Sequence, residues 1–117
     1  MPSKGGLAAL RDIVHHVALA ESFAEGATYE TFRFDLKSLF AVIRCLEVTS
    51  EASRRLTPEI QARHPHMPWR DIAGAGNVYR HARDDVAARW VWKTLSEDLQ
   101  PLRRAVAAEW RRLGDDR

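Results

Sequence analysis

The chain has 117 residues, of which 45% are hydrophobic and 29% charged, a balance that suits one globular domain with a modest core and excludes general disorder. No apolar run approaches the roughly 20 residues that span a bilayer, and the N-terminal MPSKGGLAAL lacks the continuous apolar stretch of a secretory signal. The formal net charge is only +2, but three of the 18 basic residues are lysine and the rest arginine, the side chain whose planar fork fits phosphate and carboxylate. Cys45 is the only cysteine, so no internal disulfide can form and a cytosolic setting is expected.

The periodicity is helical almost throughout. Leu7, Leu10, Ile13, Val14, Val17 and Phe23 recur at three- and four-residue intervals and predict a first amphipathic helix ending near Gly26. Thr28 is placed to cap a short second helix. A longer third helix carries an apolar stripe of Leu36, Leu39, Phe40, Ile43, Leu46 and Ala52, and ends at Leu56-Thr57-Pro58, where Pro58 starts a further turn through Arg63. The prolines of the following HPHMP force a loop, and Pro68 fits the first position of the next helix, which runs through Trp69, Ile72 and Val78 toward His81. Gly74 and Gly76 weigh against that helix. A final pair, about 85–95 and 98–113, carries Val86, Trp90, Val91, Leu95, Leu99, Leu102, Val106 and Trp110, with Pro101 predicting a break or kink near 96–100 and Ser96 its cap. Trp90 and Leu95 are expected inward and Trp92 half-buried. The predicted fold is an all-α bundle of four main helices with short accessory turns, in one domain, with enough apolar bulk for a homodimer.

The segment MPWRDIAGAGNVYRHARDD, residues 67–85, concentrates the residues that handle phosphodiesters. His81 is the candidate acid–base group, since imidazole alone titrates near neutrality without perturbation. Arg80 and Arg83 flank it as cations for developing charge, and Asn77, one turn back, could orient the ring or a phosphate. Arg70 adds a further basic position. The plainer alternative is a solvated helix end. Arg44, Glu47, Glu51 and Arg54 lie at spacings of one face of the third helix, a ladder that is usually solvated but would bring Arg44 or Arg54 to phosphate if it faced a dimer cleft. His15/His16 and His64/His66 read as surface pairs, Asp84-Asp85 as the start of the following helix, and Cys45 as a small buried residue. With no phosphate loop, serine triad or zinc spacing, no cofactor or metal is expected.

Two segments, AVIRCLEVTSEASRRLTPEIQARHP (41–65) and MPWRDIAGAGNVYRHARDDVAARWVWKTLSEDL (67–99), resemble the HepT-like proteins of the HEPN superfamily, small helical toxins of prokaryotic toxin–antitoxin pairs. The resemblance runs from about Tyr29 to Leu102. The family signature is arginine, asparagine, three variable residues, histidine, one variable residue and tyrosine. Asn77 and His81 match it, while Gly76 stands at the arginine position and Arg83 at the tyrosine position. The resemblance implies a homodimeric helical bundle, a metal-independent endoribonuclease in which His81 is general acid or base, and a nucleotidyltransferase antitoxin that adenylylates the motif tyrosine. The departures leave a second expectation open: an inactive binding subunit or scaffold for that nucleotidyltransferase. On one continuous ideal helix Arg80 and Arg83 would fall about 40° and 20° from the direction of Gly76, roughly 6 and 10 Å along the axis, within partial reach of a missing charge. A helical DNA-binding module is less favoured, because no recognition helix stands out.

Overall fold

A computed structural model describes residues 4–115. Its helices are α1 (Lys4–Phe23), α2 (Tyr29–Phe32), α3 (Leu36–Arg54), α4 (Pro58–Arg63), α5 (Trp69–His81), α6 (Asp84–Lys93) and α7 (Leu99–Asp115), and no strand occurs among the described residues. The architecture is the expected all-α bundle: α1, α3, α5 and the continuous α6–α7 segment are the main helices, with α2 and α4 as accessory turns. α3 is central, with α1 along one side of it and α5 along another, and α7 returns against α1.

Local chemistry accounts for most boundaries. Thr28 caps α2 in a reciprocal box with Thr31, whose backbone N–H donates to Thr28 Oγ1 at 3.2 Å. Asp35 caps α3, and the two hydrogen bonds from Ser38 hold its carboxyl below the usual range. Thr57 caps α4, with Pro58 in the first turn where its missing N–H costs nothing. Gly26 turns the chain after α1 at φ 77°, a left-handed conformation that glycine adopts without strain. Pro68 is the residue before α5 rather than its first, a difference of one position.

Between α6 and α7 the chain stays helical, so the irregularity expected near 96–100 takes the form of a widened turn and not a break. The chain passes through one π-helical turn, Thr94–Asp98, and continues as α7 with Ser96 inside that turn and not at a cap. Pro101 has no N–H for the carbonyl four residues back and crowds it. The widened turn absorbs that conflict and the helix continues.

Leu10, Ile13 and Val17 of α1 meet Leu39, Val42 and Leu46 of α3 in the core, joined by Phe32, Val91, Leu102 and Val106. Trp92 is half-buried as expected, with its ring centroid 5.4 Å from that of Phe32, which docks α2 on α6. Several stripe residues fall outside the core. Val14, Phe23, Leu36, Phe40, Val78, Trp90 and Trp110 are all exposed, because a three-to-four repeat marks a wide face whose edges no neighbour covers. Cys45 is buried, which pushes its thiol up.

Gly76 explains how α5 sits. It is buried against α3, and a Cβ built there would lie 3.0 Å from Glu47 Cα and 3.3 Å from Ser50 Oγ. Gly74 has nothing within 4 Å. Opposite outcomes are expected from the same substitution. Gly74→Ala should stabilise by about 0.5–1 kcal/mol through helix propensity, whereas Gly76→Ala should destabilise by about 1–2 kcal/mol because overpacking exceeds that gain. Urea unfolding of the two variants measures both, and equal shifts would remove the packing role given to Gly76.

Candidate nucleic-acid groove and His81

Three contacts set α5 antiparallel to α3. Arg54 Nη2 donates to the Ala73 carbonyl at 2.7 Å, the Gly76 backbone N–H donates to Ser50 Oγ at 3.0 Å, and Arg80 Nη2 donates to Glu47 Oε2 at 3.1 Å. The side-chain-free position at 76 lets the helices approach closely enough for α3 to reach across. A groove of about 390 Å³ results, lined by Arg44, Glu47, Val48, Ser50, Glu51, Arg54, Arg55, Gly76, Asn77 and Arg80. The charge ladder is therefore one wall of a groove, and the motif helix is the other.

Within the groove, Glu47 is shared, at 3.1 Å from Arg80 and 4.0 Å from Arg44. Arg54 pairs with Glu51 at 2.9 Å, and Arg55 pairs with Asp12 of α1 at 2.7 Å. Four guanidinium groups thus outnumber the two lining carboxylates of Glu47 and Glu51. Each is at least 39% exposed, so the pairs are weak tethers open to a polyanion.

Asn77 and His81 sit one turn apart on the exposed side of α5, and neither side chain has a hydrogen bond or ion pair to a described residue. Asn77 does not orient the imidazole. His81 is the last residue of α5, at the end of the helix beyond the groove wall. Arg70 is exposed two turns before Asn77 on the same helical side. Arg83 lies elsewhere than the continuous-helix expectation put it. α5 stops at His81, and Arg83 precedes α6 in extended conformation, paired to Asp85 at 3.3 Å with 82% of its side chain exposed. Asp84 and Asp85 occupy the first turn of α6, where acidic groups suit a helix start.

Tyr79 occupies another face, as its position predicts. It is buried, hydrogen-bonded to the Thr94 hydroxyl, and borders a separate cavity of about 630 Å³ between α3, α5 and α7. Burial pushes its phenol up. Its hydroxyl therefore cannot stand in for a tyrosine at position 83.

The surface reading of His64 is corrected. Its side chain is 14% exposed and its Nε2 lies 2.9 Å from Glu109 Oε1, while Arg63 grips both carboxylate oxygens at 2.8 and 2.7 Å. His66 and His15 are exposed, and His16 is half-buried with Nδ1 2.8 Å from the Asp12 carbonyl oxygen. Glu109 lies 45 residues beyond His64 and carried no signal of the contact.

The described residues thus form an all-α bundle with an arginine-lined groove near an exposed histidine. The family described as Ribonuclease HepT-like matches residues 13–109, and the chain belongs to that family. A probable ribonuclease HepT of Thermococcus cleftensis is 38% identical over 94 residues, covering 80% of this chain and 86% of the relative. Two proteins of Methanocaldococcus jannaschii, each named as a candidate RNase, are 29% and 30% identical over 104 residues, covering 89% of this chain and 86% and 90% of theirs. No solved structure matches the chain. No helix among the described residues is long and apolar enough to cross a membrane.

Proposed function

We propose that this protein cleaves RNA without a metal ion, as the toxin component of a toxin–antitoxin pair, with His81 as the proton-transfer group. The observation that carries this reading is the free imidazole of His81 on the helix that also presents Asn77 and Arg80 to the arginine groove. The 2′-oxygen of a ribose attacks the adjacent phosphorus and the bond to the 5′-oxygen breaks. His81 accepts the 2′-hydroxyl proton or delivers one to the departing 5′-oxygen. Arg80, backed by the α3 arginines, meets the charge that builds on phosphate. Arg70 and Arg83 hold the flanking backbone, and Asn77 hydrogen-bonds a phosphate oxygen.

The site is an attenuated one on this reading. Gly76 supplies no cation at the motif position, and loss of one such donor costs on the order of 10²–10³ in rate. The protein works as a cytosolic homodimer in which the exposed sides of two α5 helices face one cleft. A nucleotidyltransferase is its antitoxin, but position 83 offers no tyrosine for adenylylation.

A second reading, an inactive binding subunit for the nucleotidyltransferase, is favoured by the close packing at Gly76, where a side chain would press on Glu47 and Ser50. EDTA-treated protein incubated with unstructured RNA separates the two. Fragments ending in a 2′,3′-cyclic phosphate and beginning with a 5′-hydroxyl are expected. RNA left intact by a protein that still binds the nucleotidyltransferase would support the scaffold.

A further inference from the structure

The start of α3 carries aromatic surface that the groove does not explain. Phe40 is 52% exposed and Phe34 74% exposed, although helical periodicity puts Phe40 in the core stripe. Phe40 stands one turn before Arg44 on the same side of α3, about 6 Å along the axis, and Lys37 stands one turn before Phe40. Arg44 is the outermost groove arginine, with 75% of its side chain in solvent. The Arg33 guanidinium already lies over Phe34, 4.7 Å from the ring centroid. Lys37, Phe40 and Arg44 thus follow one another on one side of α3 toward the groove, with Phe34 exposed just before the helix.

We propose that Phe40, assisted by Phe34, is a stacking subsite for unpaired RNA bases, with the adjoining phosphate on Arg44. The proposal rests on the RNA-cleaving reading and adds a preference for single-stranded over paired RNA. A base inside a duplex has both faces covered by its neighbours, whereas an unpaired base can give one face to a phenylalanine ring. The helical rise between Phe40 and Arg44 is within the span from a base to its own phosphate. A second copy of the chain is the competing occupant of exposed rings, and the exposed Lys37 one turn before Phe40 counts against it, because protein interfaces are depleted in lysine.

Binding of a fluorescein-labelled 2′-O-methyl dodecaadenosine, which has no free 2′-hydroxyl to support cleavage, tests the subsite by anisotropy. Its duplex with 2′-O-methyl dodecauridine is the paired probe. Wild type is expected to bind the single strand more tightly than the duplex. Phe40→Ala should weaken single-strand binding about tenfold and leave duplex binding unchanged, Phe40→Trp should retain it, and Phe34→Ala should give a smaller loss. Equal single-strand affinity in wild type and Phe40→Ala would overturn the subsite and leave the RNA reading intact. A drop in particle mass in Phe40→Ala at unchanged affinity would overturn it in favour of a contact between copies. If wild type bound neither probe, the RNA reading would fall and the subsite with it.

Discussion

Replacing His81 by alanine is expected to lower RNA cleavage by about 10²–10⁴-fold, the usual contribution of a positioned acid–base group, with no loss of the folded state. The two halves of this expectation come from the same observation. An imidazole exposed at the end of α5, with no hydrogen bond or ion pair to a described residue, holds nothing together, so its removal should change stability by no more than about 0.5 kcal/mol. Single-strand affinity should also persist, because the groove cations stay in place. The loss should therefore sit in kcat and leave KM nearly unchanged. Asn77→Ala should cost less, since an amide offers a hydrogen bond and no proton transfer. Single-turnover cleavage of a labelled RNA, with thermal unfolding alongside, measures all of this. Activity in the variant equal to that of wild type would remove His81 from the chemistry.

Much of the fold was legible because its signals are local. Thr28 and Pro58 mark helix starts through a hydrogen bond or a ring that acts within one turn. Leu39, Ile43 and Leu46 are buried where a helical stripe puts them. The departures arise where a distant residue decides. Phe40 and Trp90 share the apolar period but lie at edges that no helix covers, and periodicity does not report what lies opposite. The irregularity expected before Pro101 takes the form of a π-turn, which the sequence does not distinguish from a break or a kink. His81 and Asn77 were chosen as candidates by type and spacing, and both lie exposed on one side of α5. The groove was not legible, since it depends on the antiparallel register that pairs Arg54 with Ala73 and Arg80 with Glu47. Gly76 was visible as a missing arginine. Only the position of Glu47 and Ser50 opposite it shows that the same absence closes the helix pair and brings the α3 arginines to the motif helix.

That coupling of scaffold to site extends to the far end of α5 and sets the largest stability effect expected. Glu109 of α7 is 4% exposed and accepts hydrogen bonds from Arg63 and His64. The Arg63 hydrogen bonds, with help from His64, hold its carboxyl below the usual range against the effect of burial. Trp69 Nε1 donates to the carbonyls of Gln61 and His64 at 3.1 Å, so the first residue of α5 hangs on the same clamp. Glu109→Ala removes the carboxylate that Arg63 and His64 share. A loss of about 3 kcal/mol is expected, the lower end for a broken buried pair, because Arg63 is 35% exposed and water compensates part of it. The lowered pKa also gives the effect a sign with pH. Protons bind more tightly to the unfolded carboxylate, so its contribution is complete above the ordinary value of 4.5 and is lost as pH falls through that value and below. Wild type should therefore lose stability on acidification more steeply than Glu109→Gln, which keeps the shape and removes the titration. Urea unfolding from pH 7 to 3 gives both quantities, and indole N–H exchange at Trp69 should quicken in Glu109→Ala if the clamp anchors α5. Identical pH slopes in wild type and Glu109→Gln would mean that the carboxylate does not stabilise the fold through its charge.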